Sequence, residues 1–437
     1  MNVCPECFGN ETLKRRLIEI RPRFPSGEKC RFHPNLKAVP IDEVGRIVDP
    51  AFRANYGFGE WRYDQEEGDD LHFLIEDMTG ASEEAVVSEL VDWLVANDSY
   101  WPPDGEEAFY ATDRNYVSVP LDGWRHSVLW ERFREAILHR QRFFNDRAKG
   151  FLDEIFEGIQ HQSDVSGRPT FYRSSADDGL IIFRARVVAD EAAFRQIAKN
   201  PAASMGTPPP SLRRQGRMNA AGIPVFYGAT ERDTATAELR PAVGARIAVA
   251  AFRPQRPIHV LDLTRFDRPG KRLDILSKNH AKRATQWAFM QSFALEISKP
   301  VLPGDEHLEY VPAQVVAEYL TTQSVRWRGT DVTPDAVMFR SAQRDGGKNI
   351  AIMGDAAKVA GATTTVPERE GSRSTEPDDL DFYDFTSPLA PRENPGLEYV
   401  DGSIELVTVR SATYSVGVQH VSLGDADSPT GADEDRF

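Results

Sequence analysis

Cysteine is scarce in this chain, and long apolar runs are missing. Only 3 of the 437 residues are cysteine, and all three lie within the first 30 residues, so a stapling network of disulfides is not expected. No stretch approaches the roughly 20 apolar residues that a membrane-spanning helix needs. The N-terminus has neither the basic nor the apolar segment of a secretory signal. We therefore expect a cytoplasmic protein with no membrane partner.

Positive charge is in deficit. The chain has 52 Lys and Arg against 67 Asp and Glu, which gives a net charge of −15. Such a chain is repelled by nucleic acid and anionic lipid unless a local basic patch compensates, so a nucleic-acid partner is not expected. A few basic residues between positions 14 and 23 keep that role open for the N-terminus alone. The length predicts two or three domains.

Changes in composition and periodicity divide the chain into four parts. They predict a small unit around the cysteines, a mainly helical domain, a domain of mixed strands and helices, and an acidic disordered tail, at residues 1–39, 40–165, 166–420 and 421–437. A stretch rich in Thr, Pro, Glu, Asp, Ser and Gly at 361–394 is predicted to be a loose insertion.

Hydrophobic periodicity predicts the main elements. One long helix is expected over 124–159 and shorter helical patterns near 234–239, 273–297 and 311–321. Strand patterns occur at 179–188, 223–227, 247–252, 258–263, 336–339, 349–353, 397–400 and 404–409. Because strands and helices do not alternate regularly, the pattern favours an α+β fold over a doubly wound sheet.

The cysteines and one histidine form two short pairs. Cys4 and Cys7 are separated by two residues, and so are Cys30 and His33. Two-residue gaps let both side chains of a pair face one ion, and three thiolates with one imidazole complete the tetrahedral shell of a closed zinc site. The pattern predicts one structural Zn²⁺.

A second motif lies in the predicted long helix. Arg132 and Arg134 precede His139 by seven and five residues. Both spacings are similar to the loose Arg-x4-6-His pattern of HEPN ribonucleases, and the segment resembles the helical extensions of some toxins. A solvated charged helix face explains the same residues, so both interpretations stay open.

Three segments, the first two close together and the third far downstream, carry the most informative pattern. They are Gly216-Arg217-Met218-Asn219, the run from Val225-Phe226-Tyr227 to Ala237-Glu238, and Phe339-Arg340-Ser341. This order and spacing resemble the RES family, which consists largely of bacterial toxins that destroy NAD. The resemblance covers roughly residues 170–360 and implies an ADP-ribosyltransferase-like mixed β-core with the NAD pocket in a cleft. It also implies regulation by an antitoxin or by the N-terminal region.

The residue types suit cleavage of the bond between nicotinamide and ribose. Glu238 can stabilise the positive charge of an oxocarbenium-like ribose. Arg217, and Arg184 on an earlier strand, suit the diphosphate. Tyr227 can stack on nicotinamide or bind a ribose hydroxyl, and Ser341 can hold a ribose hydroxyl or the carboxamide.

We therefore expect an NAD glycohydrolase or phosphorylase that uses NAD⁺ as substrate and Zn²⁺ as a structural ion. One alternative is an ADP-ribosyltransferase that uses the same site. Another is a HEPN-type ribonuclease, or a zinc-dependent binding protein with an inactive RES domain. The sequence leaves open the acceptor, the trigger and whether the chain forms a homodimer.

Overall fold

Helices and strands both contribute to the structure, a computed structural model that describes residues 1–24, 29–99, 107–301, 304–362 and 394–411. The elements confirm an α+β protein in which one large mixed sheet is covered by helices. Within the described residues, no helix has the length and apolar character required to cross a membrane.

In the described residues of the N-terminal part, four α-helices are combined with short strands. Its helices are α1 (Glu11–Ile20), α2 (Ile41–Asn55), α3 (Leu71–Thr79) and α4 (Glu84–Ala96). Its strands are β1 (Asn2–Val3), β2 (Val39–Pro40), β3 (Tyr56–Phe58), β4 (Trp61–Arg62), β5 (Gln65–Glu66), β6 (Asp69–Asp70) and β7 (Asn115–Ser118). Asn10 caps α1 by accepting hydrogen bonds from Thr12 and Leu13, and Asp70 caps α3 by accepting one from Phe73.

One hydrophobic core unites this part. The buried residues Val3, Leu13, Phe52, Leu90 and Tyr116 belong to it, and so do the three cysteines. The segment around the cysteines therefore packs on the following helices and does not have a core of its own. The small strands β3 to β7 were not expected from the sequence, because runs of two to four residues are too short to show a period.

The predicted long helix over 124–159 is divided into three pieces. They are α5 (Trp124–Glu135), a π-helical turn (Ala136–Arg140) and α6 (Asp146–Phe156). Phe144 has a left-handed backbone with φ of 53°, and the side chain of Asn145 caps the new helix by accepting a hydrogen bond from Ala148. The apolar spacing continued across this corner, so periodicity alone predicted one helix.

The C-terminal part contains the large sheet. Its helices are α7 (Glu191–Lys199), α8 (Pro201–Met205), α9 (Arg232–Ala237), α10 (His280–Ser298), α11 (Glu306–Glu309) and α12 (Val311–Thr322). Its strands are β8 (Phe171–Ser174), β9 (Ile182–Val188), β10 (Val225–Ala229), β11 (Arg246–Pro254), β12 (Ile258–Asp262), β13 (Val325–Trp327), β14 (Thr330–Val332), β15 (Ala336–Arg340), β16 (Lys348–Met353), β17 (Leu397–Tyr399) and β18 (Glu405–Thr408).

The sheet is nearly divided at one place. Its nine described strands run in the order β17-β11-β9-β10-β16-β15-β12-β8, with β18 also paired to β11, and all pairs are antiparallel except β12 with β15. Strands β9 and β10 share only the pair Phe183 and Ala229. A Cβ on Gly228 would lie 2.4 Å from Ile182, so glycine permits this approach. Beyond it the two strands diverge.

Helices α5 and α6 pack on the C-terminal part. Trp130 of α5 and Phe156 of α6 both make edge-on contacts with Phe293 of α10, at ring-centre distances of 5.0 and 5.7 Å. The Trp130 indole also donates to Glu296 at 2.9 Å. One hydrophobic core therefore runs from α5 across residue 166 to α10 and α12. The four-part division of the chain stays a prediction, and removal of residues before 166 would uncover this core.

Strands β17 and β18 rejoin the sheet, as their alternation predicted, because both pair with β11. Nearly all of the predicted insertion at 361–394 and the whole predicted acidic tail at 421–437 lie outside the described residues.

Candidate functional site

A cavity opens where β9 and β10 diverge. This central cavity has a volume of about 510 Å³, within the range of small-molecule sites. It is lined by Phe183, Arg184, Ala185, Arg217, Tyr227, Gly228, Ala235, Glu238, Leu239, Arg240, Glu306, Tyr310, Phe339, Ala342, Gln343 and Asn349. Strand ends, the end of α9 and the helix pair α11–α12 thus meet at one place.

Glu238 is held by two side chains from the far end of the chain. It follows the last residue of α9, and its Oε1 accepts hydrogen bonds from Ser341 Oγ at 2.5 Å and from Asn349 Nδ2 at 2.8 Å. The carboxylate remains exposed. No described residue donates a hydrogen bond to the other oxygen of Glu238, and the residue lines the cavity.

The loop after β15 orients Ser341. The Ser341 hydroxyl oxygen accepts hydrogen bonds from the backbone N–H groups of Gln343 and Arg344, each at 3.1 Å. Its own proton is therefore directed to Glu238. Gly347 closes the loop by accepting from the Ser341 N–H at 2.9 Å. This hydroxyl thus positions the carboxylate, a role that the sequence did not indicate.

Tyr227 supports the turn that carries Arg217. Its hydroxyl donates to Asn219 Oδ1 at 2.7 Å and accepts from the Met218 N–H at 2.8 Å. Burial raises the pKa of this phenol. Of the two roles predicted for Tyr227, stacking stays open because residue Tyr227 lines the cavity, whereas the hydroxyl proton is used within the protein. A Cβ on Gly216 would lie 2.7 Å from the Tyr227 hydroxyl, which explains the glycine.

Arg217 lies at the cavity wall and is tied to the end of α10. Its guanidinium donates to the carbonyl oxygen of Ile297 and, at 2.7 Å, to that of Lys299. The charge also lies 5.2 Å from the centre of the Tyr310 ring, and burial lowers the pKa of Arg217. Carbonyl partners leave the positive charge unneutralised, so Arg217 still contributes it to the cavity.

Arg184 is the more available cation. It lies on β9 above the Phe226 ring, 4.7 Å from its centre. Its Nη1 is shielded from solvent and has no hydrogen-bond partner among the described residues. Burial lowers the pKa of Arg184 to about 10, so it stays charged at neutral pH. The residue as a whole is only partly buried, but a shielded Nη1 without a partner is unfavourable, and a bound anionic ligand would relieve this cost.

The structure thus brings the five predicted residues Arg184, Arg217, Tyr227, Glu238 and Ser341 to one place. Asn349 was not among the site residues predicted from the sequence. It lies in the run after Ser341, pairs across the sheet with Phe339, and is 6% exposed. A buried asparagine within an apolar strand was the available signal, since burying an amide without a partner is unfavourable.

A second candidate site lies at the N-terminus. Each of Cys4, Cys7, Cys30 and His33 offers one ligand atom, and these four atoms all lie within 4.8 Å of one another. The Sγ atoms of Cys7 and Cys30 are 3.4 Å apart, and His33 Nδ1 lies 3.4 Å from Cys4 Sγ. Ligand atoms that each lie about 2.0–2.3 Å from a tetrahedral zinc are separated from one another by distances close to these sulfur–sulfur and sulfur–nitrogen distances. The four residues therefore fit one metal ion.

Two of the three residues of the ribonuclease-like motif line another cavity, which has a volume of about 810 Å³ and lies between α5, α10 and α12. Arg134 and His139 line it, whereas Arg132 does not. Arg134 Nη1 lies 3.3 Å from Oε1 of Glu131 and 3.7 Å from Oε1 of Glu296. Arg134 of α5 therefore lies beside two carboxylates, one on its own helix and one on α10.

The fold and the central cavity define an α+β protein whose cleft presents a carboxylate beside arginine side chains. Residues 186–374 match the family model of the RES domain. The chain therefore contains a RES domain, and at the level of the family this match supports a toxin-like, NAD-related function. Arg184 lies two residues before the matched segment, which includes Arg217, Tyr227, Glu238, Ser341 and Asn349. No curated protein and no solved structure matches the chain significantly.

Proposed function

We propose that this protein degrades NAD⁺ by breaking the bond between nicotinamide and ribose. The observation that carries the proposal is the fixed carboxylate of Glu238, which Ser341 and Asn349 hold from more than 100 residues away. A carboxylate held in one orientation beside a cavity can stabilise positive charge that develops only in the transition state.

In the proposed reaction the C1′–N1 bond breaks and its electron pair leaves with nicotinamide, whose ring becomes neutral. The ribose becomes oxocarbenium-like, and the free oxygen of Glu238 stabilises this charge. An oxygen of water or inorganic phosphate then bonds to C1′ and releases its proton to solvent. The products are nicotinamide and ADP-ribose, or nicotinamide and ADP-ribose 1″-phosphate.

Arg184 and Arg217 would receive the diphosphate of the substrate. Arg184 supports this role because its buried Nη1 lacks a partner among the described residues. Arg217 would attract the diphosphate through charge, since its guanidinium hydrogens already contact Ile297 and Lys299. The ring of Tyr227 would provide a flat surface for nicotinamide.

The test is to incubate the purified full-length protein with NAD⁺, with and without inorganic phosphate, and to separate the products by chromatography. Free nicotinamide with ADP-ribose supports hydrolysis, and a phosphate-dependent second product supports phosphorolysis. Nicotinamide release only in the presence of a protein or nucleic-acid acceptor would favour ADP-ribosyl transfer. Intact NAD⁺ with degraded RNA would instead favour a ribonuclease that uses Arg134 and His139.

We also propose that the N-terminal cluster binds one structural Zn²⁺. Three thiolates and one imidazole leave no open coordination position, so the ion would stabilise the N-terminal core and take no part in the reaction. The supporting observation is that all three cysteines are buried in that core beside His33.

Toxicity is the expected consequence of NAD⁺ loss in a cell. We therefore propose a toxin or defence effector that acts in the cytoplasm under the control of an antitoxin or another regulatory protein. Cellular NAD⁺ and growth, measured after induction of the full-length chain, test this role. Normal growth with undiminished NAD⁺ at high protein levels would contradict it.

A further inference from the structure

A second concave site adjoins the central cavity. This side cavity has a volume of about 480 Å³ and shares Arg184, Arg217, Tyr227, Glu306 and Tyr310 with the central cavity as lining residues. A dinucleotide has two nucleoside halves joined by a diphosphate. Two compartments with arginines at their common wall suit such a molecule, with the diphosphate at the wall.

The outer wall of the side cavity has an apolar and a basic portion. Pro208, Leu212 and Ile223 provide apolar surface, and the Leu212 side chain is 66% exposed, so it is free to pack against a flat base. Arg213 and Arg214 provide the charge. This composition suits an adenosine that carries an additional anionic group.

The positive charge exceeds what a diphosphate requires. Four arginines line the side cavity against one acidic residue, Glu306, although the whole chain carries a net charge of −15. Among the described residues, none of these arginines is ion-paired with a carboxylate. Arg213 is fixed by the carbonyl oxygens of Pro208 and Gly222. The Arg214 side chain is exposed and has no hydrogen bond to any described residue.

We propose that the preferred substrate is NADP⁺, whose adenosine occupies the side cavity and whose 2′-phosphate binds Arg214. This inference rests on the proposed function. A phosphate monoester offers the planar guanidinium fork several acceptor oxygens, which makes arginine an effective partner for it. The 2′-phosphate is the group that distinguishes the two dinucleotides, so Arg214 is a specificity-determining residue.

The bond changes are those of the NAD⁺ reaction. The C1′–N1 bond of the nicotinamide riboside breaks, its electron pair leaves with nicotinamide, and a water oxygen bonds to C1′ with loss of a proton to solvent. The 2′-phosphate lies on the other ribose and is unchanged. It therefore contributes through binding, and its effect is expected mainly in KM.

The test compares kcat/KM for NADP⁺ and NAD⁺ in phosphate-free buffer, using the purified full-length protein. The wild type should prefer NADP⁺ by roughly tenfold or more, and Arg214→Glu should lower this preference by roughly 10- to 100-fold, the range for loss of a charged hydrogen bond. Arg272→Glu makes the same charge change at an exposed arginine that lines neither cavity, and should keep the wild-type preference.

A wild type that cleaves NAD⁺ as well as or better than NADP⁺ would overturn the inference and leave the proposed function intact. An unchanged preference in Arg214→Glu would also overturn it. If neither dinucleotide is cleaved, the proposed function itself fails. Inorganic phosphate provides a further arm: phosphate that accelerates NAD⁺ cleavage in the wild type but not in Arg214→Glu, without any preference for NADP⁺, would assign Arg214 to free phosphate and overturn the inference.

Discussion

Removal of the Tyr227 hydroxyl should weaken the turn that carries Arg217. Tyr227→Phe keeps the ring but deletes one donor and one acceptor, whose partners are Asn219 Oδ1 and the Met218 N–H. Those partner residues are only 3% and 2% exposed, so water cannot easily replace the hydroxyl. Leaving a buried polar group unpaired costs about 1–3 kcal/mol, so two such groups give an expected loss of about 2–6 kcal/mol.

This loss is measurable as a shift in thermal unfolding. For a large domain, in which 1 kcal/mol shifts the midpoint by about 2–4 °C, it corresponds to a lowering of the midpoint by roughly 4–24 °C. Tyr63→Phe is the matched control, because the Tyr63 side chain is fully exposed and its hydroxyl has no partner among the described residues. Cleavage of NAD⁺ should fall as well, since Arg217 would lose its fixed position. A variant that melts and reacts like the wild type would refute the assigned role of the Tyr227 hydroxyl.

Three further predictions concern the two sites and the pH dependence of stability. Asn349→Ala should slow NAD⁺ cleavage roughly tenfold in steady-state assays, because Glu238 loses one of its two donors; an unchanged rate would remove Asn349 from the site. Elemental analysis should find one zinc ion per chain. The ion should be lost in His33→Ala but kept in His72→Ala, since metal affinity depends on a full ligand set; equal zinc content in the two variants would contradict the assignment of His33 as a ligand. Burial lowers the pKa of His126 and His280, so at these positions the folded protein binds fewer protons than the unfolded chain. Their contribution to stability should be fully present above about pH 6.5 and should fall as the pH drops below it. In denaturant melts, the double variant with Gln at both positions should lose less stability between about pH 7 and pH 5 than the wild type; an equal loss would assign the pH dependence to other groups.

Helices and strands with a clear hydrophobic period and a clear last residue were predictable from the sequence. The strands at 246–254 and 336–340 and the helix at 311–322 are close to their predicted bounds. The corner at Phe144 was missed because the apolar spacing continues across it, although Asn145 and Asp146 are residues typical of a helix start. The short strands between 56 and 118 are held by tertiary packing, which local sequence does not record.

The site residues were predicted from a resemblance to the RES pattern, and the contacts that hold them cannot be derived from the sequence. Ser341 and Glu238 are 103 residues apart, and only the fold shows that they share a hydrogen bond. In the same way, the use of the Tyr227 hydroxyl within the protein and the attachment of Arg217 to α10 depend on where the chain returns. The functional roles of these residues stay predictions, and their hydrogen-bond partners became known only from the structure.

The central claim is that the Glu238 carboxylate makes NAD⁺ cleavage possible. The most direct measurement is the initial rate of nicotinamide release from NAD⁺ by the wild type, Glu238→Gln and Glu318→Gln. Glu318 is exposed on α12 and lines no part of the central cavity, so its variant controls for the loss of one carboxylate. Glu238→Gln should be slower than the wild type by roughly 100-fold or more, the effect of removing one electrostatic stabiliser, and Glu318→Gln should match the wild type. Equal rates for Glu238→Gln and the wild type would contradict the account.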